Sequence, residues 1–214
     1  MSYAVKEIFL SLQGEGFNAG RTAAFCRFSG CNLWSGRPEQ RPTAACTFCD
    51  TDFSGTDGPG GGVYSSAGQL ARAVAAVWPQ GPETPGARKF LVLTGGEPLL
   101  QVDPPLLAAC HAQGFEIALE TNGTLPPPPG VDWVCVSPKA GVELALRRGD
   151  ELKLVFPQPG VDPEDFSRLD FRHFFLQPLD GPHRDENTRR AVDYCLGHPA
   201  WRLSVQMHKH LHIP

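Results

Sequence analysis

Residues 90–98, Phe90-Leu91-Val92-Leu93-Thr94-Gly95-Gly96-Glu97-Pro98, decide the fold. A continuous apolar run of this length describes a strand buried on both faces, as in a parallel sheet with covered sides. The run stops at two glycines and a proline, where the backbone can turn tightly or approach a bound molecule. The same rhythm recurs downstream. Residues 115–120 run into Thr121-Asn122-Gly123, residues 133–137 into Pro138-Lys139, and residues 173–177 into Pro178-Leu179-Asp180-Gly181. Residues 151–156 and 201–206 read as two further strands.

Helical signals fall between these runs. Leu70, Val74 and Val77 recur at helical spacing behind Ser65 or Ser66 as N-cap. Asp103 followed by Pro104 and Pro105 opens a helix that Gly114 ends. A short helix is expected near 163–169 and a longer one from about 186 to 196, while residues 55–62 and 81–87 read as loops. Strand and helix are thus expected to alternate throughout. About six such units with right-handed crossovers predict an α/β fold, a partial (β/α)6 barrel, because eight full units need roughly 250 residues and the chain has 214. The unusual motifs all follow the C-terminal ends of strands, the rim on which barrels of this type build active sites.

The N-terminal third carries the remaining motifs. Residues 3–10 read as a strand running into Ser11-Leu12-Gln13-Gly14-Glu15-Gly16, which is either a ligand-contacting loop through Gln13 and Glu15 or a tight turn with two solvated polar residues. Residues 23–28 alternate, placing Ala24, Cys26 and Phe28 on one face and Phe25 and Arg27 on the other, so Arg27 is either functional or snorkelling.

Length and composition bound the function. One domain, residues 1–214, is expected, since two would each have a small core. Gly and Pro are abundant without a period, which suggests tight loops rather than collagen or disorder. The net charge of −4 argues against a large nucleic-acid surface. The opening MSYAVKEIFL lacks the apolar core of a signal peptide, and no apolar run reaches membrane-spanning length, so a cytoplasmic protein is expected. Seven cysteines, three of them in one loop, suit metal ligation in a reducing compartment better than a disulfide framework.

That loop spans residues 31–52, with thiols spaced C-x14-C-x2-C at Cys31, Cys46 and Cys49. Three ligands can hold a metal centre with one position open, as catalysis requires. Adding Cys26 gives four thiols that could instead close a structural zinc site, the alternative of a zinc-stabilised binding module. Asp50 and Asp52 could be site residues or a solvated turn. Cys110, Cys135 and Cys195 read as core residues. On an extended tail His208, His210 and His212 would project to one side and could chelate a transition metal, or simply be solvated. Glu120 ends a strand on the same rim, as a substrate-orienting group or a buried carboxylate paired with an arginine.

Taken together, SLQGEG, CRFSGCNLWSG, FCDTDF, TGGEP, ETNG, VSPK, QPLDGP and the HKHLHIP ending resemble the 7-carboxy-7-deazaguanine synthases of the radical S-adenosylmethionine superfamily, over nearly the whole chain. The superfamily's common spacing is C-x3-C-x2-C; the long first gap resembles a variant within this family. The resemblance implies a 4Fe-4S cluster on Cys31, Cys46 and Cys49, with a loop at about 30–54, and S-adenosylmethionine on the fourth iron. A radical derived from it would act on 6-carboxy-5,6,7,8-tetrahydropterin, which contracts with loss of ammonia to 7-carboxy-7-deazaguanine. A glycyl-radical-type activating enzyme would share the cluster and GGEP but gives no reason for SLQGEG, Arg27 and the tail.

The resemblance also implies contacts. Phe48, Asp50, Gly95, Gly96, Glu97, Ser137, Pro138, Lys139, Gln177, Pro178, Leu179 and Asp180 would surround S-adenosylmethionine. Leu12, Gln13, Gly14, Arg27, Thr94 and the terminal Pro214 would hold the pterin, with His208 at its border and the C-terminal tail closing the site. Thr51 would contact Mg2+, an electron donor such as a flavodoxin would supply the electron, and the protein would be a homodimer.

Overall fold

In a computed structural model that describes residues 2–79 and 88–214, one open sheet runs through the molecule. A hairpin of β1 (Tyr3–Leu12) and β2 (Thr22–Phe28) begins it, and β3 (Gly62–Tyr64) pairs antiparallel with the outer side of β1. From β2 onward every pairing is parallel, through β4 (Lys89–Gly95), β5 (Phe115–Thr121), β6 (Trp133–Val136), β7 (Arg148–Phe156), β8 (Asp170–Pro178) and β9 (Trp201–Leu203). The strand order is β3-β1-β2-β4-β5-β6-β7-β8-β9, and the ends do not pair, so the barrel is partial.

Among the described residues four helices accompany the sheet: α1 (Ala67–Ala76), α2 (Pro104–His111), α3 (Arg184–Gly197) and α4 (Met207–Leu211). Ser66 caps α1 by accepting from the Gln69 amide, and Asp103 caps α2 by accepting from that of Leu106. These side chains satisfy backbone donors that a helix start leaves unpaired. The Asp103 carboxylate also accepts from the Tyr3 hydroxyl at 2.7 Å, tying α2 to β1.

The expected alternation fails in two places. Among the described residues no helix connects β5 to β6 or β6 to β7; those crossovers are irregular, rich in proline and glycine, and carry Asn122 and Lys139 toward the rim. Residues 163–169 contain only a 3-10 turn, Pro163–Phe166. The last strand is shorter than expected, because the chain after Leu203 leaves the sheet for α4. The loop expected at 81–87 lies outside the described residues.

Period-two alternation sorts the strand residues. Outward-facing Ile8, Cys26, Leu91, Leu93, Ile117 and Leu119 pack with Leu70, Val74, Leu106 and Leu107 of α1 and α2 in the larger core. Leu152, Leu154, Leu176 and Trp201 pack with Ala191 of α3 in a second. Inside the barrel, Ala23, Phe90, Val92 and Ala118 form a small apolar floor with Phe25 and Trp133. Two residues further up β2, β4 and β5 the inner face turns polar, at Arg27, Thr94 and Glu120, and there the site begins.

Candidate active site

The ends of β2 and β4 meet at glycine. Gly95 has φ +135, and a Cβ on it would lie 2.3 Å from the Phe28 carbonyl oxygen; one on Gly96 would lie 2.1 Å from the Gly30 carbonyl oxygen and 2.9 Å from Cys31 Cβ. No side chain fits there. The Gly96 amide donates to the Phe28 carbonyl at 3.2 Å, and the Glu97 amide to that of Gly30 at 2.9 Å, so the first cysteine is fixed against the end of β4. Glu97 itself is buried and works as a strut. Its carboxylate accepts from the Leu99 amide at 2.9 Å, the Thr121 hydroxyl at 2.8 Å and the Asn122 amide at 2.8 Å, joining the ends of β4 and β5. Asn122 then donates to Asn32, next to Cys31, at 2.9 Å.

Cys31, Cys46 and Cys49 line one cavity of about 390 Å³, within the range of small-molecule sites. Burial pushes the thiols of Cys31 and Cys49 up, against backbone hydrogen bonds that favour their thiolates. Metal ligation would favour the thiolates against that burial. Among the described residues no three His, Cys, Asp or Glu side chains converge on a single ion. Three thiols lining one cavity suit a 4Fe-4S cluster, in which each iron takes its own cysteine sulfur. Cys26 has no part in it: it is fully buried among the outward-facing core residues with Cys110, so the four-thiol zinc site is not formed. Cys110 is buried in the larger core and Cys195 partly buried at the second, as expected; Cys135 is buried but is not a core residue, since its inward phase on β6 puts it in the cavity wall.

Lys139 reaches the same cavity. Its ammonium donates to the Ser137 carbonyl and hydroxyl, both at 2.7 Å, and lies 5.9 Å from the Phe48 ring centroid. Among the described residues it has no carboxylate partner, and burial lowers its pKa. An anionic ligand would relieve that cost.

Across the cavity the inner faces of β5 and β7 present a charged lattice. Lys153, 4% exposed at its side chain, pairs with Glu15 at 2.7 Å and Glu120 at 2.8 Å. Gln13 donates to the other oxygen of Glu120 at 2.9 Å. Burial alone would raise the Glu15 carboxyl, but the Lys153 ammonium and hydrogen bonds from Lys153 and Gln206 outweigh it and lower it to about 2. Burial likewise opposes charge on Lys153, yet the anionic groups around it, Glu120 and Glu15 among them, carry it well above its ordinary value. Glu120 is thus paired with a lysine rather than an arginine. Arg27 lies nearby, its Nε bound to Glu7 at 2.7 Å, which leaves the Nη pair of its fork for a ligand.

The C-terminal segment bridges the gap between the sheet's ends. The Met207 amide donates to the Gly14 carbonyl at 2.9 Å, and the Ser11 hydroxyl to that of Pro214 at 2.7 Å. Lys209 binds Asp50 at 2.5 Å and Asp180 at 2.6 Å, and Gln206 binds Glu15 at 2.9 Å. Because residues 207–211 are helical, the three tail histidines do not project to one side as an extended chain would make them. His208 lines the cavity against Gly14, while His210 and His212 do not.

The cavity wall gathers Leu12, Gln13, Gly14, Arg27, Phe48, Asp50, Thr51, Thr94, Gly95, Gly96, Ser137, Lys139, Gln177, Pro178, Leu179, Asp180 and Pro214 with the three thiols. Glu97 and Pro138 are outside it, the first as a strut and the second with its carbonyl accepting from Gln158 at 3.3 Å. Asp52 lines the cavity but its carboxylate pairs with Lys6 at 2.9 Å. Neither Asp50 nor Asp52 is a merely solvated turn residue. Sequence reasoning missed Lys153, Lys209, Glu7 and Gln206. A lysine at alternating phase inside an apolar strand was a usable signal for Lys153; the others are separated from their partners by too much chain to be paired by eye.

An open parallel barrel with thiols and a glycine-rich strand end on its C-terminal rim defines an α/β enzyme of the radical S-adenosylmethionine class. Comparison with known proteins agrees and narrows it. No family model matches the chain. The chain is 62% identical over 214 residues to 7-carboxy-7-deazaguanine synthase of Bordetella pertussis and 61% identical over 214 residues to that of Caulobacter vibrioides, with all of both chains covered in each case. The crystal structure of QueE from Escherichia coli matches with a TM-score of 0.69 and 27% identity, covering 97% of this chain and 95% of that one. The chain belongs to the 7-carboxy-7-deazaguanine synthase family.

Proposed function

We propose that this cavity converts 6-carboxy-5,6,7,8-tetrahydropterin to 7-carboxy-7-deazaguanine with loss of ammonia, within queuosine and 7-deazapurine biosynthesis, in a single cytoplasmic domain that acts as a homodimer. The observation that carries the reading is the meeting of three thiols, a glycine-walled strand end and a lattice of buried charge around one cavity. A 4Fe-4S cluster with S-adenosylmethionine supplies, when bound, the one-electron cleavage and hydrogen abstraction that amino-acid side chains cannot.

The residues divide the remaining work. Cys31, Cys46 and Cys49 would hold three irons, and an electron donor such as a flavodoxin would reduce the cluster. The backbone at Gly95 to Glu97 and the walls formed by Phe48, Asp50, 137–139 and 177–180 receive S-adenosylmethionine, with Lys139 facing its carboxylate. Arg27 directs its fork at the pterin. Gln13 and Glu120, set by Lys153, fix the heterocycle, while Thr94, Leu12, Gly14 and Pro214 close around it. Thr51 supplies an oxygen to Mg2+, a hard cation suited to oxygen ligands and to bridging the substrate carboxylate.

The test is anaerobic turnover of the reconstituted protein with reductant, S-adenosylmethionine and Mg2+, read by product mass. The deazapurine is expected, with activity falling on Mg2+ chelation. Cleavage of S-adenosylmethionine without that product would overturn the reading.

A further inference from the structure

The 14 residues between Cys31 and Cys46 would, as a floppy loop, leave the thiols to find one another at the cost of loop-closure entropy. They fold back instead. Residues Pro38–Thr43 form a 3-10 turn from which Arg41 returns to the cysteine pair. Its Nη1 donates to the carbonyls of Thr47 at 3.0 Å and Cys49 at 2.9 Å, on either side of Phe48. Its guanidinium carbon lies 4.0 Å over the Trp34 ring centroid. Trp34 is held in turn: its indole N–H donates to the Arg37 carbonyl at 3.2 Å, and its ring packs edge-on against buried Phe53 at 5.5 Å between centroids. The Gly30 amide donates to the Phe53 carbonyl at 3.3 Å, one residue before the first thiol.

A single path of contacts therefore links the anchor of Cys31 to the backbone that presents Cys46 and Cys49. We propose that Arg41 is a positioning residue for the cluster: the donation from its Nη1 to both carbonyls and its stack on Trp34 preassemble the three thiols, and its fixed charge tunes the cluster. The inference rests on reading those cysteines as cluster ligands. The physical case has two parts. Charge-assisted hydrogen bonds to two carbonyls restrict residues 47–49 to one conformation, which a neutral side chain cannot match. A guanidinium stays protonated at any working pH, so it sets a permanent positive charge beside a group that gains negative charge on reduction, which favours the reduced state.

The experiment compares full-length parent, Arg41→Gln and Arg41→Lys proteins after anaerobic reconstitution. Iron per chain, the rate of iron loss to a chelator and the cluster's midpoint potential by spin-resonance-monitored titration are read. Arg41→Gln is expected to lose iron at least about tenfold faster, the scale of one charge-assisted hydrogen bond, with its midpoint moved to lower potential. Arg41→Lys is expected to lose iron as fast, since it lacks the planar group that stacks on Trp34 and aims Nη1 at the two carbonyls, but to keep the parental midpoint, since it keeps the charge. Parental iron retention and midpoint in Arg41→Gln would overturn the inference. So would an equal loss of apo-protein stability in both variants, which would assign Arg41 to the fold. A parent protein that takes up no iron would overturn the cluster reading, and this inference with it.

Discussion

The two walls of the cavity are built by different physics. On the thiol side, position comes from backbone: glycines at 95 and 96 admit a contact no other residue allows, and the loop is then pinned by ion pairs such as that of buried Lys6 with exposed Asp52. On the opposite side, position comes from buried charge: Lys153 holds Glu15 and Glu120 in a dehydrated lattice. The first wall is a shaped seat for a group that brings its own chemistry. The second is a preorganised electrostatic surface, suited to orienting a polar heterocycle. Loss of fit should break the first, and loss of neutrality the second.

The largest effect is expected where both the fit and a thiol are lost. Gly96→Ala places a methyl against the Gly30 carbonyl and Cys31; it should cost about 3 kcal/mol of stability, the upper scale of overpacking, and abolish iron binding. Thermal melting and iron analysis check it.

Lys153→Met should come next. Removing one partner of a buried pair leaves its carboxylates uncompensated, at about 3 kcal/mol, and turnover should fall while iron content stays parental. The pH dependence tests the sign. Glu15 is depressed to about 2 in the folded protein, so its contribution is present above the ordinary glutamate range and is lost as pH falls from there toward 2. Acid melting of the parent should show that slope, and Lys153→Met should not.

Lys209→Met acts between the walls, freeing the tail from Asp50 and Asp180. Partly exposed pairs contribute under about 1 kcal/mol, so stability should barely move, while KM for S-adenosylmethionine rises roughly fivefold with kcat less affected. The smallest effect is expected from Lys6→Met. Its acid partners are exposed, so melting should be unchanged, and only the Mg2+ concentration for half-maximal activity should rise as Thr51 loses its anchored neighbour.

This division also explains what the sequence disclosed. The rim motifs were legible because each sits where an apolar strand stops at glycine or proline, a local signal. The seat was legible for the same reason, with Gly95 and Gly96 closing the run at 90–94. Cys26 could be assigned to the core from its phase with Ala24 and Phe28, and it is there. The helix-free crossovers after β5 and β6 were not legible, since proline and glycine runs give no helical period but do not forbid a short helix. The charged lattice was least legible: Glu15 and Lys153 meet across 138 residues, and only the barrel's curvature brings them together. Of the two readings of the tail histidines, chelation is the one that fails, because a short C-terminal helix, docked by Met207 on Gly14, replaces the extended chain.

As proposed, Cys31, Cys46 and Cys49, without Cys26, would hold a 4Fe-4S cluster able to take S-adenosylmethionine. Spin resonance of the reduced, reconstituted protein with and without S-adenosylmethionine tests it most directly. A spectrum that changes on addition, in the parent and in Cys26→Ala alike, is predicted. A spectrum indifferent to S-adenosylmethionine would contradict the account.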